Sequence, residues 1–378
     1  MVYSAINEKG ISKSMKTERN NPLLKRLDKW IGIPALYLLG KFHHPQARPQ
    51  TYRRIALIKT AAVGDTIILS AMVEEVKRAY PDADITVICS KNNAAMVKCL
   101  PHVNRVETFV MKRPWQSLRR IGALGHYDLV LDFGPWPRIN GVISWWLDAD
   151  YKVGFYRPDT HRHYIYDAKV EHSDCLHEIE NYRNLLRGAG IAPMGLLPDL
   201  RTDKRLLSSS YAVLHLFPGG AMDRQRRWTD AGWQELAKQL HQQYGVQILL
   251  SGGPADTEEA QEVCDRLQCG GIPAENIAGK YSLKDMASIL QYAKLVVSVN
   301  TGIMHYAAAV GVPLVAIHGA TSEVRWGPLS EKARVVKSGL SCQPCISLGF
   351  ESECTAPVCM EKVTVPMVME KIEKVLEA

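Results

Sequence analysis

Three short glycine-bearing loops and one run of arginines carry the most readable chemistry in this 378-residue chain. Phe217-Pro218-Gly219-Gly220, Ser251-Gly252-Gly253-Pro254 and Asn300-Thr301-Gly302 each close an apolar run. Loops lacking side-chain bulk let backbone N–H groups and helix N-termini approach phosphate oxygens. A single such loop says little, because any strand-to-helix turn uses Gly; three at the same end of one sheet point to phosphate. Beside the first runs Asp223-Arg224-Gln225-Arg226-Arg227-Trp228. Three Arg at that place suit a departing diphosphate without a metal ion, with a solvated basic loop as the alternative. A Walker phosphate loop and a G-x-G-x-x-G fingerprint are both missing, which weighs against kinase, ATPase and dehydrogenase chemistry.

A second constellation is Cys342-x2-Cys345-x8-Cys354-x4-Cys359, four of the nine Cys within 18 positions. Such spacing suits a structural zinc or iron clipping the loop 340–360, and buried thiols are the alternative. A third gathers Arg113, Arg120 and Arg138 with Trp136, Trp145 and Trp146. Basic and aromatic residues there suit an acidic, lipid-linked acceptor, with Trp buried in the core and Arg solvated as the alternative. No recognisable nucleic-acid module accompanies them, so nucleic acid is not an expected partner.

The elements that must hold these groups alternate strand and helix. Ile55–Ile58, Ile85–Ile88 and Leu129–Leu131 read as buried strands, with a turn at Ala62–Asp65 and a helix from Thr66 to Tyr80. Residues 192–210 break the rhythm with Pro, Ser and charge. It restarts with strands at Tyr211–Leu216, Val246–Leu250, Leu295–Ser298 and Pro313–Ile317. The expectation is α/β: two Rossmann-like doubly wound domains, 51–200 and 201–363, facing a central cleft, with a closing helix over 364–378.

Residues 1–50 read as an appendage. Residues 1–48 hold nine Lys/Arg against three acids, nearly all of the chain's net charge of +7. Leu23, Leu24, Leu27, Trp30 and Ile31 recur at helical spacing until Pro34, and a basic helix of that kind suits an anionic leaflet. Packing on the protein's own body is the alternative. With no apolar run long enough to span a bilayer, a cytoplasmic location is expected, possible peripheral attachment included.

Taken in order, these segments resemble a known family. Ala56-Leu57-Ile58-Lys59 through Val63-Gly64-Asp65-Thr66 and Ala79-Tyr80-Pro81-Asp82-Ala83 are similar to the opening of the ADP-heptose heptosyltransferases of lipopolysaccharide synthesis, glycosyltransferase family 9. Pro218-Gly219-Gly220 with Arg226-Arg227-Trp228, the Asn300-to-His305 block, Gly319-Ala320-Thr321 and Trp326-Gly327-Pro328 complete the likeness over residues 54–370. The resemblance implies a GT-B fold, inverting transfer and no cofactor for catalysis. It implies a nucleotide-sugar donor, ADP-heptose or a relative, and a lipopolysaccharide core or other glycan acceptor at the cytoplasmic face of the inner membrane.

By position the resemblance makes Asp65 the general base. A sugar hydroxyl attacking an anomeric carbon must lose a proton, which a carboxylate at a strand end can accept, although Asp65 can also cap the following helix. Gly219, Gly220, Arg226, Thr301 and Gly302 fall at donor-diphosphate positions; His305, one turn further on, contacts the donor or packs; and Glu258 is the expected ribose partner, or else a solvent-facing helix residue. Asn300 departs from the family's usual Asp; Asn is neither base nor counter-charge. The sugar then differs from heptose, or catalysis rests on Asp65 alone, or activity is lost. A protein glycosyltransferase, a hydrolase or epimerase of the same fold, and an inactive scaffold stand as rival readings.

Overall fold

The computed structural model describes residues 26, 28–220, 222–346 and 354–377. Most of the expected basic appendage (1–25 and Leu27) lies outside the described residues, as does 347–353 of the cysteine loop.

Two six-stranded parallel sheets form the body. The first comprises β1 (Arg54–Lys59), β2 (Asp84–Ser90), β3 (Arg105–Phe109), β4 (Tyr127–Asp132), β5 (Ala149–Tyr156) and β6 (Ala168–Glu171). Its order is β3-β2-β1-β4-β5-β6. The second comprises β7 (Tyr211–His215), β8 (Gln247–Ser251), β9 (Ala274–Asn276), β10 (Leu295–Val299), β11 (Leu314–Ile317) and β12 (Ala333–Val336). Its order β12-β11-β10-β7-β8-β9 is the same winding counted from the opposite edge. Central strands such as β1 and β10 are continuous apolar runs because helices cover both faces. In each sheet the winding reverses beside the first strand, between β1 and β4 and between β7 and β10. In doubly wound sheets ligands bind beyond the strand ends at such a point.

The two sheets do not have fully separate cores. One apolar cluster runs from Ile55 and Val87 through Ile67 and Met72 to Met304, Ala307 and Val296. The bridge is made by two helices, Val63–Ala79 after β1 and Gly302–Val310 after β10. Their first turns meet so closely that a Cβ on Gly302 would lie 3.2 Å from the Gly64 nitrogen. A buried ionic clasp adds to the seam: Arg325, on the second-sheet side, pairs with Asp174 at 2.8 Å and Glu178 at 3.3 Å. Burial would raise the Glu178 pKa, but His172 and Arg325 outweigh it and hold the carboxyl below its ordinary range. The closing helix, Val365–Leu376, packs Val368, Ile372 and Val375 into the second core.

Candidate active site

Asp65 stands in the first turn of the helix Val63–Ala79. That helix begins three residues before the expected Thr66, and Asp65 is not its cap: the N-cap is Ala62, which makes no side-chain bond. The carboxylate instead receives Lys59 Nζ at 2.7 Å, and its side chain is 18% exposed. Lys59 is buried at the end of β1, donates to the Phe133 carbonyl at 3.0 Å, and lies 4.8 Å over the Tyr182 ring. The Tyr182 hydroxyl reaches Asp65 Oδ1 at 3.5 Å. Burial, then the Asp65 charge, push that hydroxyl's pKa well above its usual value, so Tyr182 keeps its proton and remains a donor.

One residue before Asp65, Gly64 has no side chain for a reason: a Cβ there would lie 2.8 Å from His305 Cδ2. His305 is buried on the helix Gly302–Val310, and burial holds its pKa down to about 3. Its ring packs against the turn carrying Asp65. Thr301 caps the same helix, its hydroxyl accepting the Ile303 N–H at 3.2 Å. Two positive helix ends therefore converge on the seam where Asp65 lies.

Arg226 joins this seam to the first glycine loop. Its guanidinium donates to the Asn300 carbonyl at 3.2 Å and to the Gly219 carbonyl. Gly219 and Gly220 are both left-handed, with φ of 61° and 70°, and a Cβ on either would meet nothing within 4 Å. Left-handed backbone, rather than close approach, accounts for these glycines. The Gly219 N–H, expected to face phosphate, is instead held by Asp223 at 3.0 Å, and Gly253 N–H is likewise held by Asp256 at 2.7 Å. Arg227 is engaged by Asp223 and Glu259. The Asn300 amide is buried and lies 3.3 Å from the His318 ring. Glu258 is exposed in the first turn of the helix Thr257–Cys269, after β8.

Of the residues expected to meet an acceptor, Arg113 is exposed ahead of the helix Pro114–Gly122. Arg120 on that helix is committed to Glu107 and the Thr108 carbonyl. Arg138 is a correction. It is buried and ties Asp28 at 2.6 Å to the Thr160 and Asp159 carbonyls at 2.8 Å each, so it is a strut for the N-terminal helix.

The four-thiol metal reading finds no support. Burial, then Cys345, Cys342 and Cys354, raise the Cys359 pKa, so the four thiols are neighbours. Cys359, however, is buried against Gly319, while Cys342 is exposed on a turn and Cys354 Sγ contacts the Ala356 carbonyl at 3.2 Å. Among the described residues these thiols form no group of three ligand atoms within 4.8 Å, so the metal reading is not supported. Among the described residues only His126, Asp128 and Asp150 bring three metal-type ligand atoms within 4.8 Å. Asp128 there already accepts the Arg53 and Arg54 N–H groups.

Sequence reasoning missed Lys59, Tyr182 and His318 as site residues. A lysine closing a buried strand was a signal for the first. Nothing local marks Tyr182, 117 residues from its partner.

Burial leaves three histidines neutral: His215 at a pKa of about 4, His305 at about 3 and His318 at about 4. Unfolded, each titrates near 6.5. Folded pKa values below unfolded ones mean that this stability is present above pH ~6.5 and is lost as pH falls toward ~4. Scanning calorimetry between pH 7.5 and 5 should show the melting temperature dropping by on the order of 10 °C. His318→Gln should shrink the drop.

The chain matches the family model for glycosyltransferase family 9 (heptosyltransferase) over residues 115–355. It is 27% identical over 308 residues to lipopolysaccharide heptosyltransferase 2 of Salmonella typhimurium, covering 75% of this chain and 88% of that protein. The Escherichia coli ADP-heptose lipopolysaccharide heptosyltransferase II structure superposes with a TM-score of 0.69 at 22% identity, over 86% of this chain and 98% of that one. An E. coli heptosyltransferase solved with ADP gives 0.69 at 20%, over 85% and 99%. The fold is GT-B, and the chain is a glycosyltransferase belonging to glycosyltransferase family 9, the heptosyltransferases.

Proposed function

We propose that this enzyme transfers heptose from ADP-heptose, with inversion, to a lipopolysaccharide core or another cell-surface glycan. The observation that carries the reading is the convergence at one seam of Asp65, the N-terminus of the helix Gly302–Val310, and Arg226 on the Asn300 carbonyl. The ADP end of the donor lies on the second sheet (residues 201–363), at the switch between β7 and β10. The acceptor lies on the first (51–200). Relatives of matching name or title act on lipopolysaccharide or are solved with ADP, which supports this donor and acceptor class.

The acceptor oxygen attacks the anomeric carbon as its proton passes to Asp65. The bond from that carbon to the β-phosphate oxygen breaks, and ADP leaves with the electron pair. One displacement from the face opposite the leaving group inverts the centre. Arg226 and the helix end stabilise the charge developing on ADP. Asn300 contributes no charge; its carbonyl fixes Arg226 and its amide meets His318. Lys59 and Tyr182 orient the base. Catalysis in this scheme needs no cofactor, and the enzyme works at the cytoplasmic face of the inner membrane.

The test is a panel of ADP-, UDP- and GDP-sugars, scored by thermal shift and by acceptor-dependent nucleotide release. ADP-heptose should stabilise the protein most and release ADP only with acceptor. Equal stabilisation by UDP-sugars, or release without acceptor, would sink the reading.

A further inference from the structure

Among the described residues, the helix Gly32–Gly40 packs on the helix Arg138–Trp146 and on the turn His163–Ile165, and its remaining side chains are exposed or half-buried. It buries one side chain, Leu36, which packs with Ile165 and Tyr166. Pro34 falls in its first turn, where a missing N–H breaks no bond, so the pattern expected to stop there resumes as a new helix. Its outer side and flanks present Trp30 (75% exposed), Ile31 (61%), Leu38 (55%) and Phe42 (74%). Isolated exposed apolar residues are ordinary, but four within thirteen positions form a patch that asks for a partner.

Within residues 26–42 the uncompensated charge has one sign. Arg26, Lys29 and Lys41 are exposed, and Lys41 Nζ lies 5.0 Å over the Tyr37 ring. The one acid among residues 26–42, Asp28, is cancelled by Arg138 at 2.6 Å. On the same side of the sheet, the helix Pro114–Gly122 adds Trp115, 72% exposed, beside exposed Lys112, Arg113 and Arg119. The helix Arg138–Trp146 lies between the two and packs against both.

Position links the patch to the cleft. A Cβ on Gly32 would lie 3.0 Å from Arg138 Cδ, so the Trp30 end abuts the start of the helix Arg138–Trp146. In that helix Asn140 accepts the Thr60 hydroxyl at 2.7 Å, and Thr60 follows β1 on the way to Asp65. The aromatic and basic surface therefore adjoins the rim on which the carboxylate stands.

We propose that this face, Trp30 to Phe42 with the Trp115 corner, docks the enzyme on an anionic phospholipid surface. Aromatic and aliphatic groups enter the headgroup layer while Arg26, Lys29 and Lys41 meet lipid phosphates. Side chains that protrude this far suit a soft bilayer interface rather than a pre-shaped protein pocket. Docked so, the cleft receives an acceptor without lifting its lipid anchor from the bilayer. The inference rests on the reading of a membrane-borne acceptor.

The test uses the full chain and its Trp30→Ser/Phe42→Ser/Lys41→Gln variant, sedimented with vesicles of equal phosphatidylethanolamine and phosphatidylglycerol or of phosphatidylcholine alone. Wild type should bind the anionic vesicles, the variant on the order of tenfold less, and phosphatidylcholine should bind neither well. Turnover of a delipidated acceptor should be unchanged in the variant, and turnover of a vesicle-borne acceptor reduced. No binding by wild type, equal binding by the variant, or a patch that light scattering shows to join two copies of the chain would overturn the proposal. Vesicle binding without turnover of any acceptor would instead strike the transferase reading and leave the docking face standing.

Discussion

Asp65→Asn lowers kcat by about 10³-fold while donor binding stays near wild type. Asn keeps the size of the side chain and an oxygen for Lys59, which is 2.7 Å from the carboxylate, so the first turn of the helix is preserved. The lost property is basicity, since an amide cannot take the hydroxyl proton as the glycosidic bond forms. A merely structural Asp65 would give a different result, with melting temperature and kcat falling together. Calorimetric donor titration alongside steady-state kinetics separates the two.

Arg226→Ala is expected to lower kcat/KM by about 10²–10³-fold. Two effects combine. The positive charge facing the leaving diphosphate disappears, and the link between the Gly219 and Asn300 carbonyls opens. Arg226→Lys restores the charge without the planar fork and should recover part of kcat but little of the loop order. Stopped-time assays with ADP-heptose, together with the affinity for ADP alone, read the two contributions. Full activity in Arg226→Ala would place the leaving-group charge elsewhere.

The strands legible in sequence were ones buried along most of their length, although β5, buried from Tyr151 to Phe155, was missed. β1, β2, β4, β7, β8, β10 and β11 are apolar runs lying between covering helices, and they stand where hydrophobicity placed them. β3 was missed because it is a half-exposed edge in which Arg105 and Glu107 interrupt the apolar residues. The short edge strands β9 and β12 escaped for the same reason, each exposing part of its length. The start of the helix Val63–Ala79 was placed too late because Gly64 looks like a turn residue. Its glycine answers instead to the His305 ring from the other domain.

The candidate site shows the same division. Asp65, Arg226 and the Asn300–Gly302 loop were legible because each lies in a local motif at a strand end. Their partners were not, because contact across the fold leaves no local mark. Tyr182 reaches Asp65 from a distant helix, and His318 meets Asn300 from the end of β11. Arg138 shows the reverse error: its neighbours in sequence suggested a binding surface, yet Asp28, 110 residues earlier, draws it inside. The cysteine spacing found no support: among the described residues, proximity along the chain does not bring three of the sulfurs within 4.8 Å of one another.

The anomeric configuration of the transferred sugar, read by NMR on product made from ADP-heptose, tests the account most directly. A single displacement assisted by one carboxylate predicts a configuration opposite to that of the donor. Retention would require two displacements or a front-face path, and would contradict the role given to Asp65.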